Sequence, residues 1–354
     1  MKKILAVCAA ATLCFSPVCA QEAEDSGPGV ELSVIPRFEL TPVFSEGTGN
    51  LTLGNSSLYS LFEGNILNNL SFSIENHWLS SSPAELYRIE GEGANIFRSD
   101  WTNWLDWAYL SLELGNFSVS AGKDMITTGG FEFDEYDYDV HPILSSGLWN
   151  YLSCYQWGGK VAYTSNSGNT GLSLQYTSSP YCEHPFSEGL FYGSVVSLGW
   201  RGEYGPWRNI WSISCLPVEM DGGNPSPMLV CLANRFDIGD FSLGLDWYSR
   251  SGSEETVLCD GSTILASLDY SPLDELSFSL KAGKEKAERE EVVFDANENL
   301  LSASSKVGNN LFGGIAISYF PVENLRLHAA GAYSSFEKTA AFSIGATYYL
   351  RLLK

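Results

Sequence analysis

Large apolar side chains alternate with small or polar ones in many separate stretches of this chain, and this feature constrains the fold more than any other. Between Phe241 and Tyr248, for example, Phe, Leu, Leu and Trp alternate with Ser, Gly, Asp and Tyr. Successive side chains of a β-strand point to opposite faces, so each such stretch predicts a strand with one apolar face. The same alternation occurs at 70–74, 172–176, 192–200, 207–213, 276–280 and 342–350.

The polar face of these predicted strands consists mostly of Ser, Gly, Thr, Gln, Arg and Asp. A soluble β-sandwich presents a face rich in Lys, Glu and Thr to water, whereas small polar residues suit the lumen of a wide barrel whose outer face contacts lipid. The pattern predicts about sixteen strands. They begin near residues 30, 56, 68, 104, 116, 153, 169, 190, 207, 227, 239, 262, 274, 309, 323 and 340.

The connections between these strands alternate in length. Short turns, rich in Gly, Pro, Asn and Asp, lie at 113–116, 165–168, 204–206, 237–240, 271–274 and 321–324. Longer segments lie at 41–55, 80–103, 125–152, 178–189, 217–226, 250–261 and 284–307, with a brief one at 334–339. Short periplasmic turns opposite long outer loops are typical of outer-membrane barrels. The sequence therefore predicts an all-β fold, a transmembrane antiparallel β-barrel of about sixteen strands.

Residues 1–20 have the features of an export signal. Lys2 and Lys3 precede an apolar stretch, and Val18, Cys19 and Ala20 form the small-residue pattern that signal peptidase requires. Cys19 leaves lipidation as an alternative. We expect a signal peptide at 1–20 and an outer-membrane β-barrel at 21–354, in a Gram-negative bacterium.

Charge and cysteine content exclude several classes of protein. Lys and Arg number 20 against 42 Asp and Glu, and the resulting net charge of −22 repels nucleic acid. Neither a CxxC motif nor a Cys/His metal spacing occurs, so we expect no metal site and no cofactor. Five cysteines follow the signal, an odd number. For Cys215 and Cys231, which flank a Gly- and Pro-rich segment, a disulfide and a pair of buried thiols remain open alternatives.

The third long loop, 125–152, is the most distinctive segment for function. Its central part alternates carboxylates with aromatic side chains and contains neither Lys nor Arg; these residues are Phe131, Glu132, Phe133, Asp134, Glu135, Tyr136, Asp137, Tyr138 and Asp139. The aromatic residues favour a loop folded into the lumen, where its carboxylates would constrict the passage and act on ions and solutes. A solvated outer loop is the alternative. A calcium site at Asp137 and Asp139, and catalysis at His141, are weaker hypotheses.

Alternation also assigns side chains to the lumen wall. Nine basic residues fall on the polar face: Arg37, Lys160, Arg201, Arg208, Arg235, Arg250, Lys281, Arg326 and Arg351. The acidic residues that the same rule places there are Glu39, Glu75, Glu113, Asp246 and Asp269. A basic wall facing an acidic loop would create a transverse field across the passage. Alternatively, the basic residues pair with neighbouring acids and fill the lumen.

One part of the chain resembles a known family. Residues 107–113 lead through a short turn into 117–123, and Gly129-Gly130-Phe131-Glu132-Phe133-Asp134 follows. This stretch is similar to the phosphate-selective porin O and P type, especially its Bacteroidetes-like relatives. The resemblance implies a sixteen-stranded outer-membrane porin that forms a homotrimer, with its third loop narrowing the pore. The family's phosphate selectivity rests on ladders of Arg and Lys, whereas the corresponding loop here carries carboxylates.

These observations favour a porin, a passive diffusion channel for small hydrophilic solutes or ions, in contact with outer-membrane lipid and without enzymatic activity. The main alternative is a non-conducting outer-membrane protein whose acidic, aromatic loops bind a glycan or a protein partner. A barrel-embedded hydrolase and a soluble secreted β-protein are more distant alternatives.

Overall fold

The computed structural model describes residues 29–45, 48–53, 56–80, 105–152, 155–181, 193–217, 227–252, 260–294 and 300–353. The predicted signal peptide at 1–20 lies outside these ranges, as do Cys154, Cys182 and Cys259. Most of the predicted loops at 80–103, 178–189, 217–226 and 250–261 also lie outside them.

The described chain is almost entirely β-strand. The strands are β1 Val30–Ser45, β2 Thr48–Thr52, β3 Ser57–Leu67, β4 Leu70–Ser80, β5 Leu105–Leu114, β6 Phe117–Met125, β7 Tyr155–Thr164, β8 Thr170–Ser178, β9 Ser194–Tyr204, β10 Trp207–Cys215, β11 Met228–Ile238, β12 Phe241–Ser251, β13 Gly261–Leu273, β14 Leu276–Phe294, β15 Leu300–Val322, β16 Leu325–Ser334, β17 Thr339–Tyr348 and β18 Leu350–Leu353. Two 3-10 turns, Glu132–Asp134 and Pro142–Leu144, and one short α-helix, α1 Gly147–Tyr151, lie between β6 and β7. Among the described residues, no helix is long and apolar enough to cross a bilayer.

The strands close into a single antiparallel barrel. β1 pairs with β2 and β3 on one side and with β17 and β18 on the other, so the first and last strands meet. Because β2 and β3 pair with successive halves of β1, they are two parts of one barrel strand, and β17 and β18 are related in the same way. The barrel therefore has 16 strands, which confirms the predicted fold class.

The two faces of the wall differ as the alternation predicts. In β12, Leu243 and Leu245 point outward and are exposed, whereas Asp246, Tyr248 and Arg250 point inward and are buried. Apolar side chains are exposed around the barrel; Phe38, Leu198 and Ile344, on three different strands, are 54%, 53% and 61% exposed. A continuous apolar outer surface is stable only in contact with lipid. This protein is therefore a transmembrane barrel of the outer-membrane type.

Strand positions agree with the predictions except in two places. The segments 41–55 and 284–307, predicted as long loops, are mostly strand, because β1 and β2 form one hairpin and β14 and β15 form another. As a result, β15 begins at Leu300 and not near 309. The missed part of the second hairpin is rich in Lys and Glu. Alternation of apolar and polar residues is required only where one face of a strand contacts lipid. The part of a hairpin beyond the lipid does not require an apolar face, so this pattern does not predict it.

Candidate functional site: the loop inside the lumen

The third long loop lies inside the barrel and contacts the wall on several sides. Its residues 126–152 pack against inward-facing side chains of three separate wall regions. Phe131 and Phe133 belong to a cluster with Cys231, Ala233 and Tyr248 of β11 and β12. Tyr138 packs on Ile35 of β1 and Tyr59 of β3. Leu144 packs on Ala316 of β15 and Ala330 of β16. The loop therefore crosses the lumen and narrows it.

Close backbone approach fixes the start of the loop. The Thr127 N–H donates to Oε1 of Gln175 at 2.6 Å, and the Thr127 carbonyl accepts from Oγ of Ser214 at 2.9 Å. Gly130 follows with a φ of 87°, in the left-handed region that favours glycine. A Cβ atom at Gly130 would lie 1.9 Å from the hydroxyl of Tyr248, so only glycine allows the loop to approach this wall.

Buried carboxylates of the wall and the loop hold the next turn. Asp246 accepts hydrogen bonds from the N–H groups of Phe131 at 2.8 Å and Glu132 at 3.1 Å. Glu132 in turn accepts from the Ser146 N–H at 2.7 Å and the Ser146 hydroxyl at 2.6 Å. Glu285 of β14 accepts from the Gly147 N–H at 2.7 Å, at the start of α1. Because these partners come from β12, β14 and the loop itself, both ends of the loop are tied to the same part of the wall.

Two arginines hold the middle of the loop, residues 137–140. Arg37 of β1 donates from Nη1 to the carbonyls of Asp137 at 3.1 Å and Val140 at 2.9 Å, and its Nη2 lies 2.5 Å from Oε2 of Glu39. Arg326 of β16 donates from Nη1 to the Asp139 carbonyl at 2.8 Å and to Oδ1 of Asp139 at 3.1 Å. Both guanidinium groups thus bind the loop directly.

The other predicted wall residues also lie on the inward face, with various partners. Three of them form ion pairs: Arg201 with Asp134, Lys160 with Asp124 at 2.6 Å, and Arg208 with Asp237 at 2.6 Å. The guanidinium group of Arg235 lies 4.5 Å above the ring of Phe131, and Arg250 is buried near Thr263. Lys281 interacts electrostatically with Glu135 and Glu132. Arg351 pairs with Glu31 at 2.6 Å at the periplasmic rim, where its side chain is 56% exposed. Several basic residues therefore contact carboxylates directly and do not face them across an open gap.

Burial changes the protonation of the loop acids. Burial raises the pKa of Glu132 to about 7, against the opposing effects of Lys281 and the Ser146 hydrogen bonds. The pKa of Asp137 also rises to about 7, because of burial and then the nearby charge of Asp106. Burial likewise raises the pKa values of Asp134 and Glu135. The negative charge of the loop therefore changes with pH near neutrality.

Aromatic side chains pack around the loop on the β1–β7 side of the lumen. The rings of Tyr136 and Tyr138 are stacked with centroids 5.0 Å apart, Tyr138 lies 5.4 Å from Tyr59, and Trp107 lies 5.6 Å from Tyr136. Trp107, Asp246, Glu285 and Gln175 were not among the residues singled out for the loop. Alternation assigns Asp246 to the inner face, but no local pattern connects any of these four residues with the loop, because the contacts join segments far apart in sequence.

The structure also places the residues of three other sequence hypotheses. The disulfide between Cys215 and Cys231 is wrong, because Cys215 lies on the outer face and Cys231 on the inner face, and both thiols are free. The alternative of two buried thiols holds only for Cys231, since Cys215 is exposed. Among the described residues, no group of three or more His, Cys, Asp or Glu side chains is placed to bind a metal ion, and Asp139 binds Arg326 and Tyr349 instead. His141 is buried, with Nε2 3.4 Å from the hydroxyl of Ser318.

Comparison with known proteins supports the same architecture. No protein-family model and no curated protein matches the chain. Among solved structures, OmpF of Salmonella typhi in complex with daunomycin has a TM-score of 0.61 at 13% identity, with 93% of this chain and 100% of that chain covered. The chain has a porin-like fold. An anion-selective porin from Comamonas acidovorans has a TM-score of 0.59 at 10% identity, with 92% and 100% covered. The trimer form of OmpT, an outer-membrane protein of Vibrio cholerae, has a TM-score of 0.56 at 12% identity, with 92% and 100% covered.

Proposed function

We propose that this protein is a passive diffusion channel of the outer membrane for small hydrophilic solutes and ions, with a preference for cations. The observation that carries the proposal is the carboxylate-rich loop inside a closed, polar-lined barrel. Asp134 and Asp139, which pair with Arg201 and Arg326, retain 28% and 36% side-chain exposure, so water reaches this loop. Carboxylates in a constricted passage attract cations and repel anions.

Charges inside the lumen support the cation preference. The loop supplies five carboxylates within residues 132–139 and no basic residue. Arg201 and Arg326 pair with Asp134 and Asp139, and Arg37 pairs with Glu39. Pairs at short distance contribute little field to the passage, so the cation preference depends on Glu132, Glu135 and Asp137. The charge of Lys281 opposes Glu132 and Glu135, and the preference should increase as Glu132 and Asp137 lose their protons through about pH 7.

Single-channel recording tests the proposal directly. The purified mature protein, reconstituted in a planar bilayer, should give stepwise conductance and a reversal potential of cation-selective sign in a salt gradient. Changing Glu132, Asp134, Glu135, Asp137 and Asp139 together to their amides should reduce or invert that potential. Amides at four acids of the periplasmic turns, Asp240, Asp274, Glu275 and Glu323, form the matched control and should leave the sign unchanged.

The loop's contacts with opposite walls favour one second function, a non-conducting barrel whose aromatic, acidic loops bind a glycan or a protein. A folded, heat-modifiable protein without conductance would exclude the channel and support this alternative. Anion preference that the loop amides leave unchanged would keep the channel but assign selectivity to the wall arginines.

We also propose that the barrel assembles as a homotrimer. The trimer form of the OmpT structure, which shares this fold, supports the proposal. Light scattering of the detergent-solubilised protein should give three times the mass of the monomer, and a monomer at all concentrations would refute the assembly.

A further inference from the structure

A cavity lies on one side of the loop, between the loop and the wall of the barrel. Residues 136–144 of the loop pack against β1, β3, β15 and β16, and the chain after them packs on β14 through Gly147. This cavity is open to solvent and measures about 610 Å³ when the open space is counted, and it lies against β7–β10. Its wall contains Gly171, Ser173 and Gly199, whose small side chains leave the volume free.

Two ion pairs line this cavity. The outer pair joins Lys160 Nζ to Oδ2 of Asp124 at 2.6 Å, with side chains 17% and 14% exposed. The inner pair joins Arg201 and Asp134, with side chains 17% and 28% exposed. All four groups are therefore partly shielded from water, where contacts with a charged solute are stronger than at an open surface.

The two pairs lie at different heights along the passage. Lys160 lies on β7, and Arg201 lies two strands away on β9, where it is paired through Gly171 with Thr164. That register places Arg201 four residues nearer to the periplasmic turns than Lys160. Strand spacing and rise put their Cα atoms on the order of 16 Å apart. A solute of a few residues can therefore contact the outer pair and then the inner pair in sequence.

We propose that this cavity is the passage for solutes, and that its two ion pairs select zwitterionic solutes of the size of an amino acid or a short peptide. The inference rests on the proposed channel function. A solute with one ammonium and one carboxylate can contact both members of each pair, whereas a solute with a single charge is attracted by one member and repelled by the other.

The lining also offers apolar contact to such a solute. Met125 and Ile210 are half-buried in the same lining and offer apolar contact to a short side chain.

Uptake of four forms of diglycine into proteoliposomes tests the proposal. Free diglycine is zwitterionic, its N-acetyl form is anionic, its amide is cationic, and the form blocked at both ends is neutral. We expect free diglycine to enter about threefold faster than the form blocked at both ends, the factor that a partly exposed ion contact contributes. Neither of these two forms has a net charge, so the cation preference of the channel does not affect their ratio. The preference should fall in the double variants Lys160→Gln with Asp124→Asn and Arg201→Gln with Asp134→Asn.

The matched control removes a pair outside the cavity, with Glu31→Gln and Arg351→Gln at the periplasmic rim, and should keep the preference. Heat-modifiability shows whether each variant is folded. If one double variant does not fold, the other double variant still tests the proposal. Uptake ordered by net charge alone, in a conducting protein and unchanged by either double variant, would overturn the zwitterion proposal and leave the channel intact. A folded wild-type protein that neither conducts nor takes up any form would overturn both.

Discussion

Removing the Asp246 carboxylate should release the start of the loop from the wall. Asp246 is 4% exposed and accepts hydrogen bonds from two loop N–H groups, those of Phe131 and Glu132, at 2.8 and 3.1 Å. The hydroxyl of Tyr248 donates a third at 3.2 Å. In Asp246→Ala the two N–H groups remain buried without an acceptor, unless the loop moves.

The expected loss in the free energy of unfolding follows from these contacts. A buried donor left without an acceptor costs about 1–3 kcal/mol, so two of them cost about 2–6 kcal/mol. Removing the carboxylate also removes the cost of burying a charge, which offsets part of this loss. We expect the free energy of unfolding to fall by about 2–4 kcal/mol in Asp246→Ala. In Asp246→Asn, one amide oxygen can still accept, and the fall should be about half as large.

Equilibrium unfolding in lipid vesicles, followed by tryptophan fluorescence, measures the loss. Single-channel recordings of the same variants show whether the loop is released from the wall, because a released loop should increase the current noise of the open channel. Tyr248→Phe is the matched control: it removes a hydrogen bond to the same carboxylate but leaves both loop N–H groups bonded. An Asp246→Ala protein within about 1 kcal/mol of wild type, with unchanged current noise, would refute the assignment of Asp246 as the loop anchor.

Three further predictions follow from the loop and the cysteines. Burial raises the pKa values of Glu132 and Asp137 from 4.5 and 3.8 to about 7. Between about pH 4 and pH 7 the folded protein therefore binds more protons than the unfolded chain. The free energy of unfolding should fall as the pH rises through this range. Denaturant titrations across this range should show the slope, and Glu132→Gln with Asp137→Asn should flatten it. Gly130→Ala should destabilise the fold by about 1–3 kcal/mol or more, because the added methyl group would clash with the hydroxyl of Tyr248 and the positive φ is strained for alanine. An unchanged midpoint of unfolding would contradict this prediction. A membrane-permeable maleimide should label Cys215 but not Cys231 in the folded protein, and peptide mapping that finds a disulfide between them would show the assignment of faces to be wrong.

Alternation is a local property of a strand, and it was sufficient to predict the architecture. A strand with one face in lipid must place apolar side chains at every second position, and this requirement is visible in any short stretch such as Phe241 to Tyr248. The same rule assigned the inward basic residues, from Arg37 on β1 to Arg326 on β16, to the face where the structure places them. Aromatic residues in the third loop indicated that it folds inward, because a solvated loop has no use for them.

Only the tertiary structure decided which groups meet inside the lumen. Phe131 and Asp246 are 115 residues apart, and Arg37 and Val140 are 103 apart, so no local pattern connects them. Barrel closure brings β1 and β16 to the same side of the loop, and strand register decides each contact. The cysteines show how sensitive that register is. Cys231 lies opposite Ser212 on the inner face, and Cys215, three residues along β10, points outward, because side chains change face at every step along a strand.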